Sequence, residues 1–380
     1  DDTDDGIHII RLPLNADDRW AGPHPSIATQ TMADLWRTLG PHSVFSRQVA
    51  DLVPELLDRF GVSVIEGCDT GAPLWHLLDD RSQNKWAADV RIITHVHSPS
   101  LWIERLNRRL EQSTTMHELQ RMERVQTRAS DLVVTPSVGM QGWLAEHWGT
   151  RAQTIRYPFP MPDRAPAATG GVLFVGRLEY RKGIDTLLRA WRHVETDRTL
   201  RVVGADVIDY RTNTSISAPL LDGLDRVEML GPQPPERVAQ LQREAGVVVV
   251  PSPDDNFPFT CIEAMAAGRV VVAANAGGAA EMIEHGRSGL LFEPYDEQGL
   301  ADALTRALSM TDAERSAMSE AARARIAEPC DPERVMNERL EHAALPEAPV
   351  ARREPMDTGV PIELRGMHAA PDERPPRWRK

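Results

Sequence analysis

Only three cysteines stand in the 380 residues, at Cys68, Cys261 and Cys330. Few, odd in number and far apart, they suggest neither a disulfide framework nor a zinc site, and they fit a reducing cytoplasm. Long apolar runs are missing as well. None approaches the ~18–20 residues that a membrane span needs. A secretory leader is not expected, since the chain opens Asp-Asp-Thr-Asp-Asp instead of with basic residues. Positive charge is also in deficit: 43 Lys and Arg face 56 Asp and Glu, for a net charge of −13. That balance argues against nucleic acid as a partner, which needs a basic stripe to meet its phosphates. A local basic pocket for one diphosphate remains compatible with it. What is present is ordinary for a globular protein, with 41% hydrophobic and 26% charged residues. The length suggests two domains, each able to bury its own core.

Strand and helix patterns alternate along the chain. Ile7–Leu14 and residues 62–65, 90–96 and 132–134 read as strands. Between them, 46–59 has the spacing of an amphipathic helix stopped by Gly61, a helix begins at Pro73, and 102–129 reads as one long charged helix. The stretch 156–171 holds Pro158, Pro160, Pro162 and Pro166 and closes with Gly170-Gly171, as an interdomain linker would. The alternation then restarts. Strands are expected at 172–175, 200–203, 227–230, 247–250, 270–273 and 290–292, and helices at 183–194, 235–244, 259–267, 279–284 and 298–308. Thr311 and Glu314 form a capping box that opens one more helix.

The expected architecture is therefore α/β: two Rossmann-like, doubly wound domains that face a cleft. The division expected is 1–157 for an acceptor-side domain, 158–170 for the linker, 171–345 for a donor-binding domain, and 346–380 for a tail rich in proline and charge. About four strands precede the linker, where a full sheet usually has five or more. The N-terminal domain is accordingly expected to be incomplete at its start.

Two segments carry the chemistry. In Phe174-Val-Gly-Arg-Leu-Glu-Tyr-Arg-Lys-Gly183, a strand ends at Gly176, and Arg177 and Lys182 bracket a turn that opens a helix. Two cations at a helix N-terminus suit a diphosphate, although the pair alone is equally compatible with two surface bases. The second segment, Pro251 to Gly268, follows a purely apolar strand. Asp255 sits in its loop, and Glu263 lies among Ile262, Ala264 and Met265 in the helix. A carboxylate in such surroundings needs a partner, and the vicinal hydroxyls of a ribose are one. Asp255 can accept from sugar hydroxyls. The free N–H groups near Phe257, Pro258, Phe259 and Thr260 can face phosphate. A helix-capping Asp with a solvent-facing Glu is the plainer alternative.

Taken together, residues 171–294 resemble the donor-binding domain of the retaining glycosyltransferases of the GT-B fold, glycosyltransferase family 4 (glycosyl transferases group 1). The family's Gly-Arg-Leu-x-x-x-Lys-Gly signature stands at 176–183, and its Pro-Ser-x-x-Glu-x-Phe…Glu-Ala-Met-Ala-x-Gly signature runs from Pro251 to Gly268. Gly277-Gly278, Glu281 and Gly289-Leu-Leu also match, and Ala129–Ser137 resembles the last strand of the acceptor domain. The resemblance implies that Gly176, Arg177, Lys182 and Gly204 meet the donor diphosphate side and that Glu263 binds the ribose. Asp255 stands where the family has Glu, one methylene longer, at the position that reaches the donor sugar. His97, at the end of a strand, is implied as sugar-contacting. His95 shares its face by period-two alternation and is left unassigned, and no third residue completes a metal site around the pair.

The resemblance further implies transfer of a hexose-type sugar from a nucleoside diphosphate to an acceptor hydroxyl with retention, without metal or other cofactor. Partners would be a nucleotide sugar and an acceptor glycan, lipid-linked sugar or small molecule. The alternatives are a nucleotide-sugar epimerase on the same fold and a non-catalytic nucleotide-sugar-binding subunit. The family's Gly-Gly loop that approaches the donor phosphate has no counterpart before Ile7. A cytoplasmic place is expected. In 102–110, Trp102, Ile103, Leu106 and Leu110 oppose Arg105, Arg108 and Arg109, which reads as a core-facing helix or as peripheral contact with the inner face of a membrane.

Overall fold

A computed structural model describes residues 2–4, 7–10, 12, 40–83, 85, 90–109, 113–163, 170–209 and 211–344. The expected tail, 346–380, lies outside them, as do residues 11, 13 and 14 of the first expected strand. Among the described residues of that stretch, β2 (Ile7–Ile9) pairs antiparallel with β1 (Asp2–Asp4) as a separate two-stranded sheet. It does not join the parallel sheet that follows.

The N-terminal lobe holds α1 (Pro41–Phe60), β3 (Val64–Cys68), α2 (Trp75–Ser82), β4 (Arg91–His95), α3 (Ser100–Leu106), α4 (Thr114–Ala129), β5 (Leu132–Thr135), α5 (Val138–Trp148) and β6 (Gln153–Thr154). Its four strands run parallel in the order β3-β4-β5-β6, so the chain advances across the sheet in one direction. Leu74, Leu77, Leu78 and Ile92 close the core under α1. The expected helix 102–129 is two helices instead. Arg108 has φ 58 just after α3, and Ser113 caps α4 by accepting from the Met116 N–H at 3.2 Å. A left-handed residue followed by a cap ends one helix and starts another, whatever the charge pattern.

The C-terminal lobe is built on β7 (Val172–Val175), β8 (Leu200–Val203), β9 (Ile208–Asp209), β10 (Thr214–Ser215), β11 (Val227–Gly231), β12 (Val247–Val250), β13 (Val270–Ala274) and β14 (Leu290–Phe292). Its helices are α6 (Ile184–Trp191), α7 (Ala218–Leu221), α8 (Pro235–Glu244), α9 (Phe259–Ala266), α10 (Gly277–Met282), α11 (Glu297–Leu308), α12 (Asp312–Ala327) and α13 (Pro332–Ala344). The main sheet is parallel in the order β11-β8-β7-β12-β13-β14. Every residue of β12 and β13 is buried, because helices cover both faces. One face packs Leu187, Leu188 and Trp191 of α6 with α11, and the other packs α9 and α12. The capping box at Thr311 and Glu314 is formed and opens α12.

The strand order contains a reversal. From β7 the chain moves through β8 to β11 at one edge, then returns to β12 and moves through β13 to β14 at the other. β7 and β12 are therefore neighbours whose following loops part in opposite directions. That opening, at the carboxyl ends of the two strands, is where doubly wound sheets bind ligands.

The last described helix leaves this lobe. Val335 of α13 is fully buried with Ile93, Val134 and Ile155 of the N-terminal sheet, and Arg339 pairs with Glu66 at 2.6 Å. The crossing 158–163 is also fastened: Phe159 N–H donates to Cys330 O at 2.8 Å, and Pro162 O accepts from Arg323 at 2.9 Å. Among the described residues no helix is long and apolar enough to cross a membrane.

Candidate nucleotide-sugar site between the lobes

The loops after β7 and β12 bring the two sequence segments together. Gly176 follows β7, and a single 3-10 turn, 180–182, presents Lys182. Gly183 has φ 70, and a Cβ there would lie 2.0 Å from Pro251 O. Only glycine lets the turn approach the β12 loop so closely. The approach sets Lys182 Nζ 2.5 Å from Asp255 Oδ2, with both side chains largely buried. Behind them, Gly204 at the end of β8 has φ 146, and a Cβ there would lie 1.8 Å from Gly176 O. Gly204 thus packs against the backbone of the first loop.

Helix α9 completes this half. Pro258 precedes its first turn, Phe257 is buried beneath it, and Phe259 is half exposed. Thr260 Oγ1 lies 3.4 Å from Val175 O, which anchors the helix start to the end of β7. Glu263 is one turn further on the same face. Its Oε2 accepts from Gln242 Nε2 of α8 at 2.8 Å. The partner that its apolar neighbours demand is thus already a side-chain amide within the lobe. Arg177 is the most open cation, its side chain 59% exposed and held 3.1 Å from Glu179. Glu179 is buried, and it also takes Arg181 at 2.8 Å and Asn107 of the other lobe at 3.0 Å.

His97 lies across the opening. Its backbone N–H donates to Asp69 Oδ1 at 2.9 Å, and the Ser98 N–H donates to Asp69 Oδ2 at 3.2 Å. Asp69 is fully buried, which raises its carboxyl to about 6 against the opposing pull of those N–H groups. Burial, His95 and Arg339 hold the His97 imidazolium below its ordinary range, so the ring is neutral at pH 7. The rings of His95 and His97 stack with centroids 6.1 Å apart, as alternation on one face requires. His95 itself faces Glu66 and Arg339.

Tyr157 is a residue that sequence reading missed. Counted with the first domain and the Pro-rich run beside it, it is a centrepiece of the opening. Its hydroxyl is hydrogen-bonded to His97 Nδ1, and its ring stacks between His97 and Phe259 at 5.5 and 5.0 Å. Burial, with Asp69 and Asp255 nearby, pushes its phenol well above the ordinary range, so it stays protonated. An aromatic at a domain junction, flanked by proline, was its one signal. Beside it lies a cavity of about 300 Å³ lined by Glu66, Cys68, His95, His97, Tyr157 and Arg339 among others. That is the lower end of the range for ligand pockets.

Several further contacts cross the opening. Trp102 Nε1 donates to Asp254 Oδ2 at 3.1 Å, and Arg108 pairs with Asp185 at 3.0 Å while covering the Tyr180 ring. Helix α3 thus lies at the opening; the Trp102 ring is buried in its own lobe with Val96, Val133 and Leu144, and only its Nε1 reaches across. Glu281 takes Arg156 at 2.6 Å and the Gly139 N–H at 2.9 Å. Asn256 spans the lobes as well. Among the described residues no group of three or more His, Cys, Asp or Glu side chains is placed to hold a metal ion.

Residues 167–325 match the family model of the glycosyl transferases group 1. The matched stretch is most of the C-terminal lobe, which is thus similar to the glycosyl transferases of group 1. The chain is 38% identical over 164 residues to the D-inositol 3-phosphate glycosyltransferase of Corynebacterium aurimucosum, a match that spans 41% of this chain and 39% of that protein. It is 35% identical over 138 residues to an uncharacterized glycosyltransferase, MJ1607, of Methanocaldococcus jannaschii, spanning 36% of this chain and 35% of that one. The chain thus spans about two-fifths, or less, of the curated relatives it matches. Among solved structures, sucrose-phosphate synthase from Thermosynechococcus elongatus superposes with a TM-score of 0.63 at 21% identity, over 79% of this chain and 77% of that one. Anabaena Alr3699/HepE in complex with UDP gives 0.62 at 21% identity, over 77% of this chain and 81% of that one. These neighbours establish the GT-B fold: two Rossmann-like lobes around a cleft.

Proposed function

We propose that this protein is a glycosyltransferase that moves a sugar from a nucleoside diphosphate to an acceptor hydroxyl with retention at the anomeric carbon. The observation that carries this reading is the meeting of Lys182 and Asp255 at the reversal between β7 and β12. There the Gly176–Arg177 turn, Lys182 and the start of α9 offer positive charge and free N–H groups to a diphosphate. Glu263 would exchange its Gln242 contact for, or share it with, the ribose hydroxyls. Several relatives are glycosyltransferases by name, and HepE was solved with UDP and with UDP-glucose. Those facts support a nucleotide-sugar donor here.

Catalysis on this reading is electrostatic. Arg177, Lys182 and the α9 N-terminus stabilise charge as it develops on the departing diphosphate, which can itself take the acceptor proton. The two cations do what a metal would otherwise do, so activity should survive a chelator. Asp255, released from Lys182 by the diphosphate, would then accept from a sugar hydroxyl. His97 faces the sugar as a neutral ring.

The test begins with thermal shift against UDP, GDP, ADP and dTDP, because a nucleotide that binds the folded chain raises its melting temperature. The nucleotide sugar carrying the stabilising base is then assayed with and without acceptors, with EDTA present. A nucleoside diphosphate released only with acceptor supports transfer. No shift with any nucleotide sinks the reading. Conversion of the sugar without acceptor would mean an epimerase, and binding without turnover a nucleotide-sugar-binding subunit.

A further inference from the structure

The loop after β12 reaches into the opposite lobe at one side chain. Asn256 is only 4% exposed, and its amide lies among groups of the N-terminal sheet. Nδ2 donates to Val96 O at 3.1 Å and to His97 O at 2.7 Å. Oδ1 accepts from Ser137 Oγ at 2.5 Å, and Thr135 Oγ1 lies 3.5 Å from it. An amide has two N–H donors and one carbonyl acceptor, and all are used. The orientation is dictated by the chemistry: the backbone carbonyls can only accept, so the NH₂ must face them. Ser137 is fixed in turn, since its Oγ also accepts from the Met140 N–H at the start of α5.

The backbone on either side of Asn256 belongs to the donor half. Asp255, one residue before, pairs with Lys182, and its carbonyl accepts from the Gly278 N–H at 2.8 Å. Phe257, one residue after, is in the core of the C-terminal lobe. On the far side, the His97 carbonyl that Asn256 holds belongs to the residue whose ring faces Tyr157. Of the other cross-lobe contacts, Trp102 to Asp254 also reaches the donor loop, but from α3 and not from His97, while Arg108 to Asp185 and Gly139 to Glu281 join more distant parts. Asn256 alone among those described above ties the residue next to Asp255 directly to His97. The group 1 signature leaves its position open.

We infer that Asn256 is a positioning residue that sets the Asp255 carboxylate and the His97 ring at a fixed separation by fastening the donor loop to the carboxyl end of β4. It touches neither diphosphate nor sugar; it acts through the two residues that would. The kinetic part of this inference rests on the proposed transfer reaction. The geometric part does not.

Both parts are tested on the full chain. For geometry, spin labels are placed at Glu146→Cys and Asp197→Cys, whose native side chains are 79% and 94% exposed, in a Cys68→Ser background. Pulsed dipolar spectroscopy should give one narrow distance in the parent, and a longer, broader distribution with Asn256→Ala. For chemistry, Asn256→Ala should lower kcat about tenfold or more, since small misplacements are costly in rate. Donor affinity should stay within about twofold, because Arg177, Lys182 and Glu263 all lie in one lobe. Asn256→Asp adds a pH signature: a carboxylate facing two carbonyls repels them, so activity should fall further at pH 8 and recover as pH drops and the acid becomes a donor. Thr135→Val, a shape-conserving change at the same amide, should move both readouts the same way by less, and serves if Asn256→Ala does not fold. Unchanged distances in Asn256→Ala, or a loss confined to donor affinity, would overturn the inference. If the parent turns over no nucleotide sugar, the transfer reading fails, and the distance distributions still decide the role of Asn256.

Discussion

Lys182 and Asp255 are 73 positions apart in the chain and 2.5 Å apart in space, joined by an ion pair at the point where the sheet reverses its winding. The pair places the best diphosphate cation against the best sugar acceptor. Each is the ready counter-ion of the other until a ligand takes its place.

Lys182→Ala is therefore expected to lower turnover by about 10²-fold or more, as loss of a group that stabilises transition-state charge does. It should also lower stability, because Asp255 is left buried without its counter-ion. Lys182→Ala with Asp255→Asn should regain much of the stability and none of the rate. Steady-state kinetics with urea denaturation read both. A single variant with parent-like turnover would remove Lys182 from the mechanism.

Tyr157→Phe takes one hydroxyl from His97 Nδ1 and leaves the stacking in place. The expected cost is about 1 kcal/mol, typical of a buried hydrogen bond. The imidazole nitrogen resonances of His97 should shift, because the partner that selects its tautomer is gone. Unmoved resonances would mean that the two groups do not interact in solution.

Glu123 carries a pH dependence. Its Oε1 and Oε2 accept from Ser100 and from the Gly71 N–H, yet burial and, next, Asp69 raise its carboxyl to about 7. A raised acid binds its proton more tightly folded than unfolded. Its stabilising contribution is complete below about pH 4.5 and is lost as pH rises through about 7. Relative to Glu123→Gln, the parent should thus lose stability between pH 5 and 7.5, by on the order of 2 kcal/mol. Melting curves of both proteins across that range decide it, and parallel curves would refute it.

Two glycines should respond in opposite directions to alanine. Gly204→Ala sets a Cβ 1.8 Å from Gly176 O at φ 146, and should unfold the protein or cost more than about 3 kcal/mol. Gly142→Ala, exposed within α5 with nothing near the added carbon, should stabilise by about 0.5–1 kcal/mol. Thermal melts compare them directly.

Much of the C-terminal lobe was legible because its signals are local. The four valines of β12, the Thr311–Glu314 box and the 172–175 and 200–203 strands depend on periodicity and capping, which neighbours in sequence supply. The break between α3 and α4 was not, since a run of helix-forming charged residues hides a left-handed Arg108. Helix α13 was missed because its pattern is weak; its burial is decided by Ile93, Val134 and Ile155, far away in the chain. At the site, Arg177, Lys182, Asp255 and Glu263 could be named from motif and spacing. Tyr157 and Asn256 could not, because both draw their importance from the opposite lobe.

The sequence by itself determined the residue types, the six strands of the main C-terminal sheet and most of the helices between them, and the glycines that a close turn requires. Those are fixed by dihedral sterics and short-range pattern. Only the tertiary structure decided that β7 and β12 are neighbours with diverging loops, that Glu263 already holds Gln242, and that Asn256 and Tyr157 bridge the cleft. Such facts depend on which distant segments share a core, and no local rule carries that information.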